Sequence, residues 1–197
     1  MTSAKTLLEL SGADLSLPKL AGSCLVLIDL QNEYRSGPIA LPGADAAIAA
    51  AKRLLDRART SGAQIIHVAH KGKPGGLFDR EAECGAIVAS LAPLSGEPVI
   101  EKALPNAFAG TKLKASLDAT GRKNVVLAGL MTHMCISSTA RAALDLGFRV
   151  TIDAESCATR DLPDGRGGTI AAATIHDVAL AELADRFAII ARDGALL

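Results

Sequence analysis

The chain of 197 residues contains no tryptophan, and aromatic residues make up only 3% of it. Small aliphatic side chains must therefore form its core. Twenty-one basic residues balance twenty-one acidic ones, so no charge excess points to a nucleic-acid or membrane partner. The longest early apolar run ends at Asp29 and is much too short to cross a bilayer.

Metal-binding and nucleotide-binding signatures are also missing from the sequence. The four cysteines, at positions 24, 84, 135 and 157, lack the paired spacing of a metal site. The glycine-rich segment 164–168 does not directly follow a strand, so it is interpreted as a loop and not as a phosphate-binding motif. Residues 1–23 do not resemble a signal peptide. We therefore expect a cytoplasmic protein with free thiols and no cofactor.

Apolar runs alternate with helical patterns along the whole chain, which is typical of an α/β protein. The predicted strands are 24–30, 64–69, 98–101, 124–130, 148–152 and 187–191. The predicted helices are 44–60, 87–91, a part of 106–117, 134–146 and 169–183. Strands that are apolar on both faces predict a doubly wound, six-stranded parallel sheet in a three-layer α/β/α fold. No linker or internal repeat divides the chain, so one domain is expected over residues 1–197.

Three residues that could take part in catalysis lie at or after the ends of predicted strands. Asp29 lies at the carboxyl end of the first strand, Lys102 follows the third, and Cys135 comes after the fourth, where a helix begins. The carboxyl ends of parallel strands meet at one edge of a sheet, so these side chains are expected to lie together. An acid, a cation and a thiol form the set that nucleophilic catalysis requires. Each residue alone also has a structural interpretation: a loop-binding carboxylate, a solvated lysine or an inert buried cysteine.

The environment predicted for Cys135 favours a thiolate. Helix N-terminal N–H groups and a nearby lysine both stabilise negative charge on sulfur. The sequence therefore predicts a thiol pKa below the ordinary value of about 8.5.

Three short motifs together resemble the cysteine hydrolases of the isochorismatase-like superfamily. Residues 27–32 read Leu-Ile-Asp-Leu-Gln-Asn, Glu101-Lys102 precede Asn-Ala-Phe-Ala-Gly-Thr at 106–111, and residues 129–135 read Gly-Leu-Met-Thr-His-Met-Cys. The resemblance extends from about Leu25 to the last predicted strand. It implies a sheet order of 3-2-1-4-5-6 and hydrolysis of an amide-like C–N bond in a small molecule through a cysteine acyl-enzyme.

The resemblance also implies a role for each residue of the set. Asp29 would be the general base, Cys135 the nucleophile and Lys102 the cation between them. A cis peptide bond is implied between Leu130 and Met131. The Met131 and Cys135 N–H groups would then form an oxyanion hole.

Differences between this sequence and its relatives reduce the number of activities to consider. Nicotinamidases of this superfamily hold a metal with an Asp-Trp-His stretch and a further histidine, whereas here His67 and His70 are followed by Lys-Gly-Lys-Pro. We therefore expect no metal, with His67 packed inside its strand. True isochorismatases carry glycine where Cys135 stands and hydrolyse a vinyl ether. Ether hydrolysis remains one alternative, and a non-catalytic small-molecule binder remains another.

The substrate pocket and the assembly are predicted less directly. Tyr34, His70, Phe108 and His133 are candidate pocket residues, and ordinary packing remains open for each of them. Alanine-rich helices and zero net charge leave little to discourage self-association. The family resemblance implies a homodimer or homotetramer, and we expect the helix after Cys135 to pack close to a partner.

Overall fold

Parallel strands alternate with helices along the chain. The computed structural model describes residues 4–196, so residues 1–3 and 197 of the predicted domain lie outside the described part. The strands are β1 Ser23–Ile28, β2 Gln64–His70, β3 Val99–Lys102, β4 Asn124–Leu130, β5 Arg149–Ala158, β6 Leu162–Pro163, β7 Thr169–Ile170 and β8 Ile189–Ala191. The α-helices are α1 Leu7–Leu10, α2 Glu33–Ser36, α3 Ala44–Ser61, α4 Leu113–Ala119, α5 Ser137–Asp145 and α6 Ala172–Arg186.

Six of the strands form one parallel sheet in the order β3-β2-β1-β4-β5-β8. This confirms the predicted topology, with β8 as the sixth strand of the sheet. The sixth strand of the sheet carries the label β8 because β6 and β7 form a separate antiparallel hairpin, which was not predicted from the sequence. The glycine-rich segment 164–168 is the turn of this hairpin.

Two apolar layers cover the two faces of the sheet, as the alternation along β1 shows. Leu25 and Leu27 point into a cluster with α3, whereas Cys24, Val26 and Ile28 point into a cluster with α4, α5 and α6. Both faces of the strand are therefore buried, which is why β1 is apolar from Cys24 to Ile28. The three-layer α/β/α architecture is confirmed.

The short helix predicted within 106–117 is observed as α4, Leu113–Ala119, whereas the helix predicted at 87–91 is not formed. The segment before α4 is irregular because two side chains form hydrogen bonds with its backbone. The Asn106 Oδ1 accepts from the Phe108 N–H, and the Thr111 hydroxyl donates to the Ala107 carbonyl. Such local bonds compete with helix formation. The pattern at 87–91 produces only a 3₁₀ turn, Ala89–Leu91. Among the described helices, none has the length and apolar character needed to cross a membrane.

The seam between β1 and β4 depends on a glycine. Gly129 lies opposite Ile28 in the parallel register and has a φ of 141°. A Cβ atom added there would lie 2.0 Å from the Ile28 carbonyl oxygen. Only glycine permits this close approach. The seam therefore brings the carboxyl ends of β1 and β4 directly side by side.

Candidate active site

Asp29, Lys102 and Cys135 meet at the carboxyl edge of the sheet. Asp29 follows β1, Lys102 is the last residue of β3, and Cys135 lies in a π-helix, Thr132–Ile136, between β4 and α5. The Lys102 Nζ is 2.6 Å from the Asp29 Oδ2 and 3.3 Å from the Cys135 Sγ. The side chains of Asp29 and Lys102 are 0% exposed, and Cys135 is 4% exposed. The structure therefore brings together the three residues that the sequence singled out.

Lys102 is held by more than its acidic partner. Its ammonium group also donates to the Leu104 carbonyl at 3.1 Å and lies 3.2 Å from the His70 Nδ1. A buried charge is tolerated when its hydrogen-bonding groups find partners. These contacts fix the ammonium group between Asp29 and Cys135 and leave it little freedom to move.

The predicted pKa of Cys135 is wrong in direction. Burial, followed by the charge of Asp29, raises the pKa of the Cys135 thiol to about 12, although Lys102 opposes the rise. Burial also raises the pKa of Asp29, and the charge of Lys102 opposes this. The predicted pKa included the effects of the cation and the helix terminus. The desolvation of the sulfur and the charge of the neighbouring carboxylate have larger effects on the pKa and were left out.

The raised pKa of Cys135 keeps its sulfur protonated at neutral pH, so a thiol lies beside the Asp29–Lys102 ion pair. Apart from its ion pair with Lys102, the Asp29 carboxylate has no hydrogen bond of good geometry within residues 4–196. Its oxygens therefore keep lone pairs available for a proton. A thiol next to a desolvated carboxylate can give up its proton at the moment of attack.

We expect alkylation of Cys135 by iodoacetamide to accelerate about tenfold per pH unit between pH 7 and pH 9, since the thiolate is the reacting species. Peptide mass mapping over this pH range measures the rate at each cysteine. The Cys135→Ser variant identifies the peptide and serves as the control. A plateau in the rate below pH 8 would show that the thiol pKa is not raised.

The backbone before Cys135 has an unusual course. The peptide bond between Leu130 and Met131 is cis, at the position that the family resemblance implies. The Met131 carbonyl then accepts hydrogen bonds from the N–H groups of Met134, at 3.0 Å, and Ile136, at 3.3 Å. This wide turn places Cys135 before the first residue of α5, so the nucleophile candidate lies on a π-turn and not on the regular helix that the sequence predicted.

Two of the predicted pocket residues belong to an aromatic wall beside the cluster. The Tyr34 ring packs edge-on against Phe78 with centroids 5.2 Å apart, and the His70 ring lies 4.9 Å from the same Phe78. His70 in turn contacts Lys102. His70 therefore contacts the cluster directly, and Tyr34 is joined to it through Phe78, which was not among the predicted pocket residues.

The other two predicted pocket residues have separate surroundings. Phe108 stacks on Phe148, the residue before β5, with ring centroids 6.2 Å apart. His133 is half-buried and its Nδ1 is hydrogen-bonded with the Thr159 hydroxyl. Contact of Phe108 or His133 with a substrate stays a prediction.

Two buried polar residues after β1 support the site and were missed as functional residues. The Gln31 side chain binds both backbone groups of His70, accepting from its N–H at 2.8 Å and donating to its carbonyl at 3.0 Å. The Glu33 carboxylate accepts from the Phe78 N–H at 3.0 Å. Their signal in the sequence is a run of polar residues directly after a buried strand, where no solvent-exposed helix follows.

Comparison with known proteins identifies the family of this fold and site. The sequence profile of the isochorismatase domain matches residues 23–193. This chain belongs to the isochorismatase family. The family resemblance inferred from three short motifs is thereby confirmed.

Relatives within the isochorismatase family support the assignment over nearly the whole chain. A solved isochorismatase structure from Pseudomonas putida KT2440 has a TM-score of 0.95 and 44% identity, covering 99% of this chain and 100% of that one. A secreted isochorismatase effector of Verticillium dahliae is 37% identical over 166 residues, which is 84% of this chain and 85% of the relative. A maleamate amidohydrolase of Pseudomonas putida is 33% identical over 153 residues, covering 69% and 72% of the two chains. These relatives are hydrolases, so the prediction that the chain is an enzyme is confirmed.

The two histidines of β2, His67 and His70, both have protein partners. His67 is buried and its Nε2 is 2.9 Å from the Glu97 carboxylate, which also binds Arg59. His70 contacts Lys102 through its Nδ1. No group of three or more potential ligand side chains is close enough to hold a metal ion anywhere in residues 4–196.

Dialysis against a chelator is therefore expected to leave activity unchanged, because the histidines are engaged by protein partners. The measurement is turnover before and after treatment with EDTA and with a second chelator of different selectivity. Activity that disappears and then returns on addition of zinc, manganese or iron would contradict the expectation.

Proposed function

We propose that this chain hydrolyses an amide-like C–N bond of a small molecule through a Cys135 acyl-enzyme. The observation that carries the proposal is the buried ammonium of Lys102, which lies 2.6 Å from Asp29 and 3.3 Å from Cys135. This ammonium group lies between a base and a soft nucleophile in one site that excludes water. The amidohydrolase relative supports C–N hydrolysis as the reaction type.

The reaction begins with proton transfer from the Cys135 thiol to Asp29 as the sulfur attacks the amide carbonyl. The tetrahedral intermediate collapses, and the C–N bond breaks while Asp29 gives its proton to the departing amine or ammonia. A thioester to Cys135 remains. Asp29 then accepts a proton from a water molecule that attacks the thioester, and the acid leaves as the thiol is restored.

Lys102 and two backbone N–H groups complete the proposed machinery. Lys102 stabilises the negative charge as it moves between the Asp29 carboxylate and the Cys135 sulfur. The N–H groups of Met131 and Cys135 would donate to the developing oxyanion, the interaction that is often the largest electrostatic contribution in acyl transfer.

Trapping of the acyl-enzyme tests the proposal. The protein is mixed with primary amides, carbamates and ureas, quenched in acid within seconds and examined by intact mass and by peptide mapping. We expect a mass increase equal to the acyl group on the peptide that contains Cys135. The increase should be absent in Cys135→Ala and present when Cys84, which lies outside the cluster, is changed to serine.

A second candidate function is vinyl ether hydrolysis, which two relatives named as isochorismatases favour. This reaction needs an acid but no sulfur nucleophile. Cys135→Ala would therefore keep its activity on isochorismate and lose it on amides. Absence of turnover of every amide and ether by the wild-type chain would instead favour a non-catalytic binder.

We also propose that the active form is a homodimer or homotetramer. Exposed apolar side chains lie close to the site, including Met134 in the π-helix and Val178 on α6, which is 53% exposed. Light scattering after size exclusion should give a mass at least twice that of the 20.2 kDa chain. A fully active monomer would overturn this proposal.

Cytoplasmic location stays a prediction, because one relative is named as a secreted effector.

A further inference from the structure

The ammonium group of Lys102 has more acceptors around it than hydrogens to give them. An ammonium group carries three N–H donors. The Asp29 Oδ2 lies 2.6 Å from its Nζ, and the Leu104 carbonyl oxygen lies 3.1 Å away. The His70 Nδ1 and the Cys135 Sγ follow at 3.2 Å and 3.3 Å. Four acceptors therefore share three hydrogens.

The weakest of these acceptors in the resting site is the thiol. Asp29 is charged, the Leu104 carbonyl is a backbone acceptor, and the His70 nitrogen is an imidazole acceptor, whereas a thiol sulfur accepts only weakly. The three hydrogens of the ammonium group are therefore taken up before the sulfur of Cys135 receives one.

The ring of His70 is fixed at this place by its strand and its neighbours. His70 is the last residue of β2 and pairs in register with Lys102 at the end of β3. Its N–H and carbonyl are both bound by the side chain of Gln31, which is fully buried and also donates to the Gly85 carbonyl. The ring packs against Phe78, with centroids 4.9 Å apart. The Nδ1 atom therefore faces the ammonium group with little freedom to turn away.

The protonation state of His70 makes its Nδ1 an acceptor. Burial, followed by the charge of Lys102, lowers the pKa of His70 to about 4, so the ring is neutral at pH 7. A neutral imidazole has one donor nitrogen and one acceptor nitrogen. Since the ammonium group of Lys102 can only donate, the Nδ1 accepts and the Nε2 carries the hydrogen.

The other titratable groups that act on the sulfur of Cys135 come from β1, β3 and α2. Burial and then the charge of Asp29 raise the thiol pKa, and Lys102 opposes the rise. Burial raises the pKa of Tyr34 on α2, so its hydroxyl stays protonated at neutral pH. The charge at the sulfur is therefore controlled by the ion pair and by the hydrogens that the ammonium group can spare.

We propose that His70 is a positioning residue: by holding one N–H of Lys102, it leaves the sulfur without a donor until Asp29 has accepted the thiol proton. Three hydrogens then suffice both before and after this transfer. When the proton reaches the carboxylate, that oxygen no longer needs the ammonium group, and its N–H turns to the Cys135 sulfur. A thiolate beside a charged carboxylate would lack a donor, so the proton transfer and the charge at sulfur arise in one step. This inference rests on the proposed role of Asp29 as the base.

Alkylation of Cys135 by iodoacetamide tests the inference. In His70→Leu one hydrogen of Lys102 is released, so a charged Asp29 and a thiolate can both receive a donor. We expect alkylation roughly 3- to 30-fold faster than in the wild type at each pH between 7 and 9, the effect of one hydrogen bond. Peptide mass mapping measures the rate.

Two matched variants control for the change of side chain. His70→Asn keeps an acceptor, because the asparagine Oδ1 is as many bonds from the main chain as the histidine Nδ1, and its rate should stay within about twofold of the wild type. His67→Leu removes the other histidine of β2, which contacts Glu97 and not Lys102, and should also react at the wild-type rate. Equal rates in His70→Leu and the wild type would overturn the inference, as would equal acceleration in the leucine and asparagine variants of His70.

A background without the ammonium group separates a released hydrogen from a more open pocket. In the combination of Asp29→Asn with Lys102→Met no donor remains to be redirected, so adding His70→Leu should leave the alkylation rate unchanged. Acceleration there equal to that in the wild-type background would come from easier access to the sulfur and would overturn the inference.

The alkylation rates also separate this inference from the proposed reaction, because iodoacetamide requires no amide substrate. If no amide is hydrolysed but the effect of His70→Leu depends on Lys102, only the proposed reaction fails. If amides are hydrolysed and His70→Leu leaves alkylation unchanged, only the inference about His70 fails.

Discussion

Asp29→Asn is expected to lower kcat/KM for the amide substrate by roughly 10²- to 10⁴-fold, the usual effect of losing general acid–base catalysis. Asparagine has almost the shape of aspartate but cannot accept the thiol proton or protonate the leaving amine. The measurement is steady-state turnover with an ammonia-coupled assay. Asp118→Asn is the matched control, because Asp118 is 44% exposed in a surface pair with Lys114.

The combination of Asp29→Asn with Cys135→Ala tests whether the two residues act as one unit. Once the nucleophile is absent, the base has no thiol proton to accept, so the double variant should be scarcely less active than Cys135→Ala alone. Losses that multiply in the double variant would show that Asp29 and Cys135 act in separate steps.

Lys102→Met is expected to reduce the free energy of unfolding by roughly 3–5 kcal/mol, because it leaves the buried Asp29 charge without a partner. For a chain of this size the melting temperature should fall by roughly 6–20 °C. Urea unfolding at neutral pH measures the effect. Lys114→Met, in a pair with both side chains about half exposed, should change stability by less than about 1 kcal/mol.

A second substitution and a pH series distinguish lost charge pairing from lost packing. Adding Asp29→Asn to Lys102→Met should recover much of the stability, since no unpaired charge remains. Burial raises the pKa of Asp29. In Lys102→Met the folded state therefore binds this proton more tightly than the unfolded state, and stability should increase as pH falls from the folded-state pKa toward the lower pKa of the unfolded state. Additive losses and a flat pH profile would contradict the ion-pair interpretation.

The parts of the site that follow from strand order could be predicted from sequence. Continuous apolar runs identify buried parallel strands, and the polar residues that end β1 and β3 must then reach the same edge of the sheet. Asp29 and Lys102 were located by this argument to within one residue of the observed strand ends. Their ion pair is a consequence of topology.

The properties that depend on three-dimensional burial could not be predicted. The pKa of Cys135 depends on how far desolvation and the charge of Asp29 outweigh Lys102, and this balance requires the depth of each group.

The close approach of Gly129 to Ile28 limits how this enzyme can diversify. In a gene library that encodes every amino acid at position 129, selection for turnover should return glycine alone, because any larger residue separates the two strands that lead to Asp29 and Cys135. New substrate ranges must therefore evolve, or be engineered, through the surrounding loops. At the reaction centre itself, almost no amino-acid substitution would preserve function.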